Sequence, residues 1–211
     1  MIVTNEVEAY IAGLLPEPDP VLAEMQEHGR REGIPIVHAP TGMFLELLTA
    51  ATGARRAVEV GTAIGVSTLH LARGGAHVTS FEVDAERHAA ARDYLTRAGL
   101  ADRVDLRLQD ASKGLAELEP GSFDLAFVDG PKYLYAAHIE PVIALLRTGG
   151  LLLVDNVLIS GAAATQEPTG HWDSDRIQEM RAINKRLAEH PQLRTTITPV
   201  GDGVAVAVRL T

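Results

Sequence analysis

An α/β fold, with a mostly parallel sheet flanked by helices and finished by an antiparallel hairpin, is what the sequence predicts. From residue 56 to 155, short apolar runs alternate with amphipathic stretches five times over, the pattern of successive βα units. Thr195, Ile197 and Pro199 then alternate into Val200-Gly201-Asp202-Gly203, and Val204, Val206 and Val208 alternate out, which predicts a closing hairpin. The chain has 211 residues, 46% of them apolar, enough to close a core and to exclude a disordered or fibrous protein. One domain is expected over residues 1–211, with 1–53 as an amino-terminal helical cap and 54–211 as the α/β core.

The elements follow in order. Val7, Tyr10, Ile11, Leu14 and Leu15 recur at helical spacing, and Asp19 followed by Pro20 caps a second helix that Gly33 and Pro35 stop. A third runs from Thr41 through Phe44, Leu47 and Leu48 to Gly53. Strands are expected at 56–60, 77–83, 103–108, 123–129 and 150–155, with helices near 66–73, 85–99, 112–118 and 134–147. Residues 160–173 carry Gly, Pro and Thr without periodicity and predict a loop, and a helix follows from about Ser174 to His190.

Composition narrows the function classes. With 28 Asp+Glu against 19 Lys+Arg the formal charge is −9, which disfavours a nonspecific nucleic-acid or anionic-membrane binder. No Cys is present, so disulfides, thiolate metal sites and a cysteine nucleophile are excluded. The sequence has neither a secretory start nor an apolar run approaching the ~20 residues of a membrane span, and a soluble cytoplasmic protein is expected.

The chemistry-bearing residues gather where the expected strands end. Val58-Glu59-Val60-Gly61-Thr62-Ala63-Ile64-Gly65-Val66-Ser67 is a Gly-containing turn from strand to helix, the usual ligand position of an open α/β sheet. Ala63 and Val66 stand where a dinucleotide fingerprint needs glycine, so NAD and FAD are disfavoured. Glu82, ending strand two, can accept both hydroxyls of a ribose or be an ordinary strand-end acid. Gln109-Asp110-Ala111-Ser112 ends strand three, where it can reach an adenine amino group or simply cap a helix. Asp129 ends strand four, and Asp155 with Asn156 ends strand five. Adjacent strands lie ~4.8 Å apart, so these three oxygen side chains can share one cation, Mg²⁺ before Mn²⁺ or Ca²⁺. Lys132, one of three Lys beside 16 Arg, is a better proton acceptor than Arg, though a solvated loop lysine would look the same. His138 and His171 lack partners at metal spacing, and Trp172 can cover a flat substrate or pin its loop.

Together these stretches resemble the cation-dependent small-molecule O-methyltransferases that use S-adenosylmethionine (SAM), the family containing the catechol and caffeoyl-coenzyme A enzymes. The resemblance covers nearly the whole chain: Thr4 to Leu22 looks like the family's first helices, and Pro35-Ile36-Val37 precedes the helix leading into the sheet. Val58 to Ser67, Phe127-Val128-Asp129 with Lys132, Val154-Asp155-Asn156 and Pro199 to Gly203 match further family stretches. It implies a class I SAM-dependent methyltransferase fold, Rossmann-like, and a single methyltransferase domain. Glu59, Gly61 and Ser67 would hold the methionine end of SAM, Glu82 its ribose, Val37 would touch it through the backbone, and Asp110 and Ala111 would flank adenine. Asp129, Asp155 and Asn156 would bind Mg²⁺ or another divalent cation, with Asp129 also close to SAM. Lys132 would be the catalytic lysine beside Asp129. The expected acceptor is a small vicinal-diol aromatic and the expected assembly a homodimer. A tRNA hydroxyuridine O-methyltransferase and a non-catalytic SAM-binding module are the alternatives. Gly130-Pro131 replaces the family's common Ala-Asp, and the aromatic of its cofactor turn is absent, so the acceptor itself stays open.

Overall fold

The computed structural model describes residues 5–169 and 172–211. Thr4, in the first expected helix, and His171, in the 160–173 segment, lie outside them. The chain divides into two compact units, Met1–Gly114 and Leu115–Thr211.

The first unit opens with three helices, α1 (Asn5–Ala12), α2 (Pro20–Glu32) and α3 (Ala39–Thr52). Asp19 starts α2 as expected: its carboxylate accepts the N–H groups of Val21 and Leu22 at 3.0 and 3.2 Å, and Pro20 occupies the first position. Gly33 ends it at φ 63°, in the left-handed region that glycine enters without strain. The stripe that predicted α1 does form a helix but is not buried: Val7, Tyr10 and Leu14 are 45%, 69% and 67% exposed. Next come β1 (Arg56–Val60), α4 (Val66–Arg73), β2 (His77–Glu82), α5 (Ala85–Arg97), β3 (Val104–Leu108) and the short α6 (Ala111–Gly114). The strands are parallel in the order β3-β2-β1, with Glu59 beside Ser80 and Glu82 beside Leu108. Val58, Leu69, Leu71, Phe81 and Leu95 are buried among them. The helix expected over 112–118 is corrected. Only four residues are α-helical and Leu115–Glu117 form a 3₁₀ turn, a split that follows from Gly114 in mid-run and Pro120 beyond it. Gly114 suits its place, since a Cβ there would fall 2.0 Å from the Phe81 ring.

The second unit contains β4 (Phe123–Val128), a 3₁₀ turn (Lys132–Leu134), α7 (Tyr135–Leu145), β5 (Leu146–Val154), α8 (Ala162–Thr165), α9 (Ser174–Glu189), β6 (Leu193–Thr198) and β7 (Val204–Arg209). Its strand order is β4-β5-β7-β6, with β4 and β5 parallel and the rest antiparallel. Strand five starts at Leu146 rather than 150. Phe123 pairs with Leu146 and Leu125 with Leu151, so the register slips there, and Arg147 closes the gap by donating to Asp124 at 2.7 Å. The 160–173 segment is not wholly loop, because the alanine run at its start turns once as α8. The hairpin forms as expected, and its turn sits on the segment after β5: Val157 N–H donates to Gly203 O and Leu158 N–H to Asp202 O, both at 3.0 Å. Gly203, at φ 83°, lets the two chains touch, since a Cβ there would lie 2.4 Å from Leu158 Cγ.

Candidate functional site

Each unit gathers one group of polar side chains where its parallel strands end. In the first unit the chain leaves β1 through a turn with Gly61 at φ 97°, Ala63 at φ 48° and Gly65 at φ 90°. Two of these three left-handed residues are the glycines of the motif, which explains their spacing. The turn is tied to the end of β2. Ala63 N–H donates to Glu82 Oε2 at 2.8 Å, and the N–H groups of Val83 and Asp84 donate to Oε1 at 2.9 Å. Glu82 is thus held rigidly, and Oε2, with one donor, has a lone pair left for a ligand hydroxyl.

Glu59 is fully buried, and its Oε2 accepts the Ser80 hydroxyl at 2.6 Å and that of Thr68, binding β1 to β2 and α4. Ser67 is buried in the first turn of α4. Val37 is buried after Pro35-Ile36 and helps line an open cleft of about 740 Å³ with Gly29, Ile34, Ile36 and His38. Asp110 does cap α6, accepting the Ser112 N–H at 2.8 Å, and Ala111 is the buried first residue of that helix. Val83 and Leu108 were not foreseen. They leave apolar side chains exposed at the ends of β2 and β3, beside the Glu82 carboxylate. An apolar patch beside a fixed carboxylate suits a flat base carrying a ribose.

In the second unit Asp129 leaves β4 while Asp155 and Asn156 leave β5, and the Asp155 N–H donates to Val128 O at 3.0 Å. Lys132 Nζ donates to Asp129 Oδ1 at 3.0 Å, to Asn156 Oδ1 at 2.5 Å and to Gly130 O at 3.4 Å. Two of the three expected ligand oxygens therefore already face one cation, the lysine ammonium. The third belongs to Asp155, which is buried; burial first, then the charge of Asp129, pushes its carboxyl up to about 7. Burial raises Asp129 too, against the opposing pull of Lys132. Among the described residues no three His, Cys, Asp or Glu side chains group as a metal site. The set is two carboxylates and an amide, all oxygen, short of positive charge and suited to a hard divalent cation.

Tyr135 was missed in the sequence. It is fully buried, its hydroxyl donates to Asp155 O at 3.0 Å, and the Lys132 ammonium lies 5.1 Å from its ring centre. Asn184 on α9 donates to Val157 O at 2.8 Å, steadying the segment after Asp155 and Asn156. Trp172 exchanges hydrogen bonds with Thr169, which pins its own loop, and His138 is buried in the packing of α7.

Comparison with known proteins defines the class first. A solved structure of the O-methyltransferase TomG from Streptomyces achromogenes, in complex with SAM, matches with a TM-score of 0.85 and 30% identity over 98% of this chain and 97% of that one. The fold is therefore the class I SAM-dependent methyltransferase fold, with flanking helices and strands that are parallel but for the terminal hairpin, as expected. A family model described as O-methyltransferase matches residues 16–210, and the chain belongs to that family. A catechol O-methyltransferase of Mycobacterium tuberculosis is 36% identical over 96% of this chain and 94% of its own length. Caffeoyl-CoA O-methyltransferase 1 of Eucalyptus globulus is 29% identical over 92% and 83%. The protein is a SAM-dependent O-methyltransferase of this type, and the alternative of a non-catalytic SAM-binding module falls away. No helix among the described residues is long and apolar enough to cross a membrane.

Proposed function

We propose that the enzyme methylates a hydroxyl of a small vicinal-diol aromatic with the help of a divalent cation, Mg²⁺ before others. The observation that carries this is the shared cation of the second unit: Asp129 and Asn156 both bond one ammonium, while Asp155 stands buried beside them with its carboxyl raised by burial and by Asp129. Asp129, Asp155 and Asn156 would hold the ion, and SAM would be held by Glu82 at the ribose, by Asp110 and Ala111 at adenine, and by Val37, Glu59, Gly61, Ser67 and Asp129 towards the methionine end. SAM supplies an electrophilic methyl group, and a divalent ion at these oxygens supplies acidity to a bound hydroxyl. Lys132 would take the hydroxyl proton at Nζ once its own ammonium proton has passed to solvent, while the carboxylates would hold the ion and Glu82 would orient the cofactor.

The testing experiment is methyl transfer to catechol with labelled SAM after exhaustive EDTA treatment, then Mg²⁺ add-back. Activity should vanish and return, and full activity without metal would remove the cation and the diol together. Glu82→Ala should weaken SAM at least about tenfold, since a hydrogen bond to a charged group contributes ~1.5–3 kcal/mol. Calorimetry giving wild-type affinity would take Glu82 out of the cofactor site.

We also propose a cytoplasmic homodimer without nucleic-acid or membrane partners. Its support is the family likeness, the net charge of −9 and the exposed Ile197, Val208 and Leu210 of the terminal hairpin and the residue that follows it. Light scattering at 22.6 kDa instead of twice that mass would overturn the dimer.

A further inference from the structure

We infer that Tyr135 is a positioning residue of this enzyme: its hydroxyl fixes the peptide joining two ion ligands, and its ring seats the Lys132 ammonium. The inference rests on the cation reading above.

The peptide in question runs from Asp155 to Asn156, and it is held at both ends. Its carbonyl, Asp155 O, accepts the Tyr135 hydroxyl at 3.0 Å, and its N–H, from Asn156, donates to Asp155 Oδ1 at 2.7 Å. Rotation of that plane would move the Asp155 carboxylate and the Asn156 amide at once. Asn156 needs such support because it adopts φ 56°, a left-handed conformation that a side chain makes costly. The other contact is to the lysine. Lys132 Nζ lies 5.1 Å from the ring centre while reaching Asp129 and Asn156, so the ring forms the floor under the ammonium. Tyr135 opens α7 directly after the 3₁₀ turn that starts at Lys132, which places both residues on one rigid stretch.

A side chain wanted only to fill this space would not need the oxygen. Tyr135 is fully buried, a buried hydroxyl is unfavourable unless bonded, and phenylalanine has the same ring. The hydroxyl is kept in a neighbourhood of three carboxyls, those of Asp129, Asp155 and Asp202. A donor there, aimed at the main chain, fixes the acidic loop without adding charge.

The two contacts separate in two variants. Tyr135→Phe removes the hydroxyl alone, and Tyr135→Leu removes the ring as well. The probe is Mn²⁺, its free concentration read by electron paramagnetic resonance, with SAM affinity and melting temperature measured in parallel. Tyr135→Phe should weaken Mn²⁺ about five- to tenfold while SAM affinity holds, and raising Mn²⁺ should recover most of the lost turnover. Tyr135→Leu should lose turnover that excess Mn²⁺ does not restore, and phenylalanine should rescue that part. Wild-type Mn²⁺ affinity in Tyr135→Phe, with or without a lower melting temperature, would overturn the inference and leave the cation reading standing. A wild-type enzyme that binds no Mn²⁺ would overturn both. If Tyr135→Leu does not fold, the phenylalanine variant alone decides.

Discussion

Asp155→Ala is expected to abolish methyl transfer to a diol while SAM binding persists and the fold holds. The carboxyl is buried, pushed up to about 7 by burial and by Asp129, and its Oδ1 accepts only the neighbouring Asn156 N–H among the bonds described for it. A site that crowds two acids together does so at the expense of stability, so deleting one should not lower the melting temperature much, although the proposed ion would lose a charged ligand. Asn156→Ala should hurt less, because water can replace a neutral amide oxygen. Steady-state methyl transfer under saturating Mg²⁺, beside calorimetric SAM binding, checks both. An Asp155→Ala enzyme at the wild-type rate would remove this residue from the ion site. Asp129→Ala should also be inactive, with SAM affinity reduced as well.

Lys132→Arg should lose turnover by about 10²–10⁴-fold, the usual range for removing a general base. Arg can still reach Asp129 and Asn156 and keep the loop charge balanced, but it stays protonated at neutral pH and cannot take the hydroxyl proton. Single-turnover measurements with saturating SAM, Mg²⁺ and catechol isolate that step. A wild-type rate would hand proton removal to solvent or to the ion-activated hydroxyl.

Most of the framework was legible because the strands buried in the sheet read as apolar runs. Phe123 to Val128 and Leu151 to Val154 need no tertiary knowledge to be drawn. The start of β5 was hidden because the expected helix ran on to 147 and Arg147, Thr148 and Gly149 are exposed, while the pairing of Phe123 with Leu146 keeps them extended. Asp129, Asp155, Asn156 and Lys132 were visible as polar residues at strand ends, and the bonds of Lys132 to Asp129 and Asn156 bring three of them together. Tyr135 gave no such sign. An aromatic in an apolar helix looks like core, and only the direction of its hydroxyl distinguishes it. Val83 and Leu108 escaped for the opposite reason, since apolar residues at strand ends are presumed buried and these are exposed.

The strand order of the second unit bears on how the protein is made. β7 lies between β5 and β6 although it is synthesised after both. While the ribosome is still translating residues up to 203, β5 has no antiparallel neighbour and β6 has no partner at all. Until Val204–Arg209 insert between them, the Leu-rich edge of β5 and the Thr-rich β6 stay unpaired. The segment after Asp155 and Asn156 gains its anchor in the same event, because Asp202 and Gly203 of the preceding turn hold Leu158 and Val157. A chain cut before Asp202 would leave the loop after Asp155 without its anchor and the edge of β5 open to other chains.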